Sequence, residues 1–173
     1  ARGRSVKGRS DQKAMRRVLI VEDHELVRRG LKQILALSFG EISTTEAADA
    51  GSAQARAVEG TWDLILLDLN LPGASGFELI VRLRELCPKA PILVLTGSDE
   101  AAHALQAIRS GASGFLSKRD AADELVVAAR KVMAGETYLT PELQARLVTN
   151  LQGGAVQLPH ERLSRREFDV FRR

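Results

Sequence analysis

Five residues able to do chemistry stand where short apolar runs of the sequence end. Glu22 and Asp23 follow the run VLIV, Asp68 follows LILL, Thr96 follows ILVL, and Lys118 comes two residues after SGFL. Ligands of open α/β sheets bind beyond the carboxyl ends of parallel strands, so these side chains are predicted to converge on one crevice. Three carboxylates held together repel one another unless a divalent cation lies among them, and such oxygen ligands suit Mg2+. Taken alone, Asp68 could equally cap the loop that follows it.

The elements that must position these residues are read from apolar runs that alternate with helical periodicities. Unbroken runs such as residues 64–67 are typical of parallel strands buried on both faces, and the β-branched segment 41–45 indicates an edge strand. Helices are predicted between the strands, with Asp49 and Asp120 as caps of the second and fifth and Gly135 ending the fifth. Five strands alternating with five helices predict an α/β fold with a doubly wound parallel sheet.

Length and composition favour one domain with flanking segments in a reducing compartment. The chain has 173 residues, of which 45% are hydrophobic and 27% charged, and this is enough for one substantial core. The single cysteine, Cys87, has no partner for an internal disulfide or a cysteine-based metal site, which favours a cytoplasmic location. No apolar run approaches the roughly 20 residues of a membrane span, so no membrane association is expected.

Positive charge is concentrated in the first 17 residues. They contain seven Lys or Arg residues and one acid, Asp11, for a net charge of +6, whereas the remaining residues carry −3 of the total of +3. Low apolar content together with Gly and Ser predicts a disordered basic arm over residues 1–15. An arm without a function of its own is favoured over one that contacts nucleic acid, because no aromatic residue is interleaved with the charges.

Four segments together resemble one known family. The segments VLIVEDHELVRRGL, LILLDLNLPGASGFEL, ILVLTGSDE and GASGFLSK are similar to the receiver domain of two-component response regulators of the NarL/FixJ type, across residues 16–135. The resemblance implies a flavodoxin-like sheet of order 2-1-3-4-5 that takes a phosphoryl group from a sensor histidine kinase onto an aspartate. It also implies control of a transcriptional output and, for this type, a homodimer after phosphorylation.

The resemblance further implies roles for the residues of the acidic crevice. Asp68 is the phosphoacceptor, and it ligates Mg2+ directly together with Asp23. Asn70 offers its main-chain carbonyl to the ion, and Glu22 acts mainly through bound water. An ionised carboxylate needs no general base, so the remaining work is positioning and neutralising charge. His24, beside the acids, is expected to be exposed and not a ligand, because Mg2+ prefers oxygen.

Three further residues would complete the site and its switch. Lys118, a mobile point cation, is expected to pair with Asp68 at rest and with the phosphoryl oxygens afterwards. Thr96 supplies a hydroxyl, and its inward movement after phosphorylation would open space beside the fourth strand for Phe115, the predicted switch aromatic. Phe115 has no hydroxyl with which to hydrogen-bond a loop carbonyl, and a plain core residue is the alternative interpretation.

The C-terminal part is predicted to be a linker followed by the beginning of another domain. Residues 136–163 have the composition of a linker, with a helix at about 141–151 that starts at Thr140 and Pro141. Ser164 and Glu167 form a capping-box pattern within residues 164–173, which resemble the first helix of a LuxR-type helix-turn-helix domain. Reading DNA requires a second helix in the major groove, so we expect a truncated receiver that cannot read a DNA sequence.

Two other classes of function compete with a phosphorylation-dependent switch. A Mg2+-dependent aspartyl phosphohydrolase would need a second acid two residues after the nucleophile, where this sequence has Asn70. A receiver-like interaction module that works without phosphate would lack one of the acids or the lysine, and the sequence has them all. We therefore expect a phosphoacceptor switch and not an enzyme that turns over an external substrate.

Overall fold

The computed structural model describes residues 15–97 and 101–152, in which strands and helices alternate along the chain. The elements are β1 Arg16–Val21, α1 Glu25–Phe39, β2 Ile42–Ala47, α2 Ala50–Ala57, β3 Leu64–Asp68, α3 Gly76–Leu86, β4 Ile92–Thr96, α4 Ala101–Ser110, β5 Gly114–Ser117, α5 Ala121–Met133 and α6 Pro141–Gln152. None of the helices in these two ranges is both long and apolar enough to cross a membrane. Our predictions for the basic arm up to residue 14, for the linker after residue 152 and for residues 164–173 lie outside the described residues.

The five strands form one parallel sheet of order β2-β1-β3-β4-β5, which confirms the predicted doubly wound, flavodoxin-like arrangement. β2 lies at one edge and is mostly half-buried, as its β-branched sequence predicted. Every residue of β3 and β4 is buried, which explains why their sequences are unbroken apolar runs. The order of strands reverses between β1 and β3, so a crevice opens beyond the carboxyl ends of these two strands.

Alternate side chains of each strand enter cores on opposite faces of the sheet. On one face, Leu19 and Val21 of β1 join a core to which α2, α3, α4 and α6 contribute. On the other face, Val18 and Ile20 join a core to which α1 and α5 contribute. Small side chains such as that of Ala104 in α4 let the helices approach the sheet closely. The sheet is therefore held rigidly from both sides.

Local sequence signals set the ends of several helices. The Asp49 side chain accepts a hydrogen bond from the Ser52 N–H at 2.7 Å and caps α2 in a capping box, as predicted. Gly135, two residues after the end of α5, has a φ of 87°, a conformation that favours glycine. Asp120 occupies the predicted N-cap position of α5, but its side chain makes no capping hydrogen bond. Its φ and ψ of −91° and −7° are helical, whereas a capping residue is usually extended.

The segment after α5 packs on the edge of the sheet and on α4. Tyr138 pairs with the outer side of β5: its N–H donates to the Ser113 carbonyl and its carbonyl accepts from the Phe115 N–H, both at 3.0 Å. Leu143 and Leu147 of α6 are each 4% exposed and belong to the same core as the alanines of α4. All three residues lie within the predicted linker, and Tyr138 covers part of an edge strand whose backbone groups would otherwise be open to pairing.

Gly76, the first residue of α3, allows the loop after β3 to pass close to the helix. A Cβ at this position would lie 2.5 Å from the Leu69 carbonyl oxygen and 2.7 Å from Leu69 Cα. Both are backbone atoms, so they cannot move aside as the end of a flexible side chain could. Leu69 follows Asp68 directly and donates its N–H to the Leu95 carbonyl at 3.3 Å. The close approach at Gly76 therefore helps to fix where Asp68 stands.

We expect Gly76→Ala to lower the free energy of unfolding by about 1–3 kcal/mol, because the added methyl group overlaps the Leu69 backbone. Gly30→Ala is the matched control, since Gly30 lies within α1 and nothing is within 4 Å of an added Cβ. The control should be neutral or stabilising by up to about 1 kcal/mol, because alanine favours helices. Urea unfolding followed by circular dichroism measures both changes. Equal effects at the two positions would contradict the close-approach argument.

We also expect Leu143→Ala to lower the free energy of unfolding by about 2–5 kcal/mol, because it would leave a cavity between α6 and α4. Val148→Ala, on the same helix but 41% exposed, should change it by less than about 1 kcal/mol. Thermal and urea unfolding of both variants provide the measurement. If Leu143→Ala unfolds like the unmodified chain, α6 does not belong to the cooperatively folded unit.

Candidate functional site

Backbone pairing at the ends of the strands brings the predicted site residues to one edge of the sheet. The Glu22 N–H donates to the Ala47 carbonyl at 3.0 Å, so the first residue after β1 is still held by β2. The Lys118 N–H donates to the Thr96 carbonyl at 2.7 Å, which fixes the residue after β5 against the end of β4. Asp68 is the last residue of β3 and pairs in register with Leu95. Glu22, Asp68 and Lys118 therefore start from backbone that is hydrogen-bonded to the sheet or belongs to it.

Four side chains at this edge form an acidic cluster. One potential ligand atom from each of Glu22, Asp23, His24 and Asp68 lies within 4.8 Å of the others. Glu22 and Asp68 are almost completely buried, at 1% and 2% exposure, whereas Asp23 and His24 are more open to solvent. The structure thus brings together the three acids that the sequence placed after two separate strands.

The Lys118 ammonium group lies between the two buried carboxylates. Its Nζ is 2.7 Å from Glu22 Oε2 and 3.2 Å from Asp68 Oδ2. The pairing with Asp68 was expected, but the shorter contact with Glu22 was not. Burial alone would lower the pKa of the Lys118 ammonium, but the contacts with Glu22 and Asp68 outweigh it and raise that pKa. Lys118 is therefore charged at neutral pH and compensates the buried acids.

The two buried acids respond to the same surroundings in opposite directions. For Asp68, burial raises the pKa of the carboxyl group, and the neighbouring Glu22 charge adds to this. The Asn70 N–H, which donates to Asp68 Oδ1 at 3.0 Å, and the Lys118 ammonium oppose the rise without cancelling it. For Glu22, burial also disfavours ionisation, but the contacts with Lys118 and His24 prevail and lower the pKa. Asp68 is thus the less well compensated carboxylate.

Thr96 ends β4 near Asn70 at the acidic crevice, and Phe115 lies within the sheet on β5. Thr96 is 1% exposed, and its Oγ1 accepts a hydrogen bond from Asn70 Nδ2 at 3.4 Å. Phe115 is fully buried and pairs in register with Val94 on β4. Full burial is common to a core phenylalanine and to an inward-facing switch residue, so the switch role of Phe115 stays a prediction.

The acidic cluster has the donor set that a hard divalent cation requires. Glu22 Oε2 and Asp23 Oδ1 are shielded from solvent, and neither accepts a hydrogen bond of normal geometry from the described part of the chain. Glu22 Oε2 lies 2.7 Å from Lys118 Nζ, and Asp23 Oδ1 lies 3.1 Å from His24 Nδ1. Carboxylate oxygens with spare acceptor capacity are typical ligands of Mg2+. The residues present therefore fit a magnesium ion.

Two contacts with Glu22 were not recognised from the sequence. His24 is exposed, as expected, but its Nδ1 also lies 3.0 Å from Glu22 Oε1, and this contact raises the pKa of the imidazole. Arg28, one turn into α1, donates from Nη1 to the Glu22 carbonyl at 2.6 Å. The position of His24 directly after two acids was a usable signal for the first contact. The contact of Arg28 with the Glu22 carbonyl had no signal in the sequence and became visible only in the three-dimensional structure.

Comparison with known proteins gives matches that agree with this architecture. Residues 18–130 match the response regulator receiver domain family. The nitrate/nitrite response regulator protein NarP of Escherichia coli (strain K12) is 37% identical over 153 residues, which cover 88% of this chain and 71% of NarP. A LuxR family two-component response regulator from Aurantimonas sp. SI85-9A1 has 33% identity and a TM-score of 0.74, covering 80% of this chain and 99% of that one.

A third relative was solved in a modified state. It is a response regulator protein from Burkholderia pseudomallei, whose structure contains a phosphorylated aspartic acid, a calcium ion and citrate. The likeness has 27% identity and a TM-score of 0.60, and it covers 80% of this chain and 87% of that one. The family match spans more than half of the sequence, and the relatives share both fold and sequence with it. The chain therefore belongs to the response regulator receiver domain family of two-component signalling, among LuxR-type transcription regulators.

Proposed function

We propose that this receiver is a phosphorylation-dependent switch that accepts a phosphoryl group on Asp68 from a sensor histidine kinase. The observation that carries the proposal is the position of the Lys118 ammonium, which lies between the buried carboxylates of Glu22 and Asp68. Such a cation next to an incompletely compensated carboxylate favours the arrival of a further anionic group at the same place.

The transfer requires positioning more than bond-making chemistry from the protein. An oxygen of Asp68 forms the new P–O bond while the P–N bond to the kinase histidine breaks, and the leaving imidazole nitrogen takes a proton from solvent. The Asn70 N–H holds Asp68 Oδ1 in place during this step. Lys118 exchanges its contact with Asp68 for one with the phosphoryl oxygens, and the Thr96 hydroxyl supplies a further donor. We expect no turnover beyond self-phosphorylation and self-dephosphorylation.

Magnesium is the cofactor that the acidic cluster fits. Asp23 and Asp68 would bind the ion directly, Asn70 through its main-chain carbonyl and Glu22 through water. When bound, the ion neutralises negative charge on the phosphoryl group. The Burkholderia pseudomallei regulator, which carries a phosphorylated aspartic acid and a calcium ion, supports this assignment by likeness.

The response to phosphorylation would pass through the two buried residues next to the crevice. New charge on Asp68 draws the Thr96 hydroxyl towards it, and Phe115 on the neighbouring strand adjusts to the space that changes beside β4. The output is a homodimer that controls transcription through a DNA-binding domain, and the chain acts in the cytoplasm. Similarity to NarP and to the LuxR family regulator supports the transcriptional output.

The proposal predicts one covalent phosphoryl group on Asp68. Treatment with acetyl phosphate and Mg2+ should add the mass of a single phosphoryl group in intact-protein mass spectrometry, because the small donor replaces the kinase. Asp68→Asn should remain unmodified, since the amide is not a nucleophile. Asp123→Asn is the matched control, because Asp123 is an exposed aspartate on α5 and its loss should leave the modification intact.

Other outcomes would favour the competing functions. Absence of any adduct on the unmodified chain at saturating Mg2+ would refute the phosphoacceptor role and favour an interaction module that works without phosphate. Sustained hydrolysis of a phosphomonoester would favour a phosphohydrolase, although Asn70 directs its side-chain amide to Thr96 where that class needs an acid.

Phosphorylation is also expected to cause self-association. Light scattering at tens of micromolar protein should report close to twice the monomer mass after acetyl phosphate treatment, because the altered surface becomes self-complementary in a two-fold dimer. Asp68→Asn under the same conditions should keep the monomer mass. The same mass for treated and untreated unmodified chain, at full phosphorylation, would contradict the dimer.

A further inference from the structure

We infer that Arg28 is a positioning residue of the phosphorylation site, which fixes the acidic turn formed by residues Glu22, Asp23 and His24. The inference rests on the proposed function, because it concerns how that turn would hold Mg2+. Arg28 lies on α1 and does not touch the carboxylates of the turn itself. It acts on their backbone, through the carbonyl group of Glu22.

Arg28 holds the acidic turn at two points. Its Nη1 donates to the Glu22 carbonyl at 2.6 Å, and its own backbone N–H donates to the His24 carbonyl at 3.0 Å. The first contact comes from the side chain and the second belongs to the first turn of α1. Because one residue binds both ends of a three-residue turn, the turn cannot rotate independently of α1.

The Glu22 carbonyl lies just beyond the end of β1, where regular hydrogen bonding between strands has ended. β1 ends at Val21, and the Glu22 N–H makes the last contact towards β2, with the Ala47 carbonyl. A charged guanidinium gives stronger and better directed hydrogen bonds than a neutral donor does. Arg28 therefore fixes the backbone of Glu22, one residue beyond the end of β1. The side chain of the same residue contacts Lys118.

The Arg28 side chain is largely buried beside a carboxylate on β2, although its Nε makes no hydrogen bond with the described residues. Arg28 Nε lies 3.6 Å from Glu46 Oε1, and only 16% of the Arg28 side chain is exposed. Glu46 stands opposite Ile20 in the β1–β2 register and is also 3.5 Å from Lys32 Nζ. Burial and the nearby Glu46 charge limit the freedom of the Arg28 side chain, and its Nη1 donates to the acidic turn.

The consequence is a division of tasks between two cations. Lys118 contacts the carboxylate oxygens of Glu22 and Asp68, where a phosphoryl group would arrive. Arg28 sets the direction in which the carboxylates of the turn leave the backbone. Outer residues that orient metal ligands typically change metal affinity by about 10- to 100-fold when they are lost.

The test compares Arg28→Met with Arg29→Met in the unphosphorylated chain. Methionine keeps most of the apolar stem of Arg28 but donates no hydrogen bond, so we expect the Kd for Mg2+ in isothermal titration calorimetry to rise about tenfold. Arg29 is the matched control: it is the adjacent arginine, 72% of its side chain is exposed, and it pairs with Glu25. Its replacement should leave the Kd within about twofold, since a surface ion pair contributes little.

A second measurement separates positioning from a purely structural role. The rate of phosphorylation by acetyl phosphate should fall in Arg28→Met at low Mg2+ and recover at saturating Mg2+, which loss of folded protein would not do. Arg28→Lys keeps one donor and should give a Kd between those of Arg28→Met and the unmodified chain. This variant also serves as the test if Arg28→Met does not fold.

Two outcomes would overturn the inference. One is a Mg2+ Kd that neither Arg28 variant changes by more than the Arg29→Met control does. The other is absence of Mg2+ binding by the unmodified chain at tens of millimolar. The calorimetry needs no phosphorylation, so it tests Arg28 separately from the proposed function. A chain that binds Mg2+ but accepts no phosphoryl group would refute the proposed function. The role of Arg28 in Mg2+ binding would still be decided by the Kd values of its variants.

Discussion

The structure depends on how two buried carboxylates are kept ionised beside one ammonium group. Removing Glu22 and Asp68 from water carries a large desolvation cost, and the Lys118 ammonium offsets only part of it. Such an arrangement is a poor source of stability, because apolar residues of similar volume would cost less to bury. Its presence at the carboxyl edge of the sheet is therefore better explained by what the site must bind. Burial raises the pKa of Asp68, because the Lys118 ammonium does not fully compensate the desolvation of this carboxylate.

The rest of the fold supplies the rigidity that this compensation requires. Strands β3 and β4 are buried along their whole length, and cores on both faces hold them in register. The backbone of Asp68 is therefore fixed and cannot move towards water. Because Gly76 has no side chain, the loop after β3 can pass close to the start of α3. A site on a mobile loop would let the acids separate and lose the position that a cation and a phosphoryl group need.

The segment after α5 has a structural role that its composition did not reveal. Tyr138 pairs with β5, and Leu143 and Leu147 seal α6 against α4, beyond the residues that match the receiver family. Phe115, the predicted switch residue, donates its N–H to the Tyr138 carbonyl and lies in the same core as α6. Phe115 and α6 therefore share one packed core, and Tyr138 joins the backbone of β5 to the segment that precedes α6.

Patterns in the sequence were enough to predict the order of elements, the edge position of β2 and the convergence of the three acids, Lys118 and Thr96. Each of these follows from local information: apolar runs of strand length, and polar residues directly after them at one edge of a parallel sheet. Asp120 shows the limit of local rules, because its backbone is helical where a cap should be extended. Three contacts could not be predicted from local patterns. They are those of Arg28 with the Glu22 carbonyl and with Glu46, and that of Lys118 with Glu22. They join residues from different elements, and the direction of a long charged side chain depends on which partners the packed fold places within its reach.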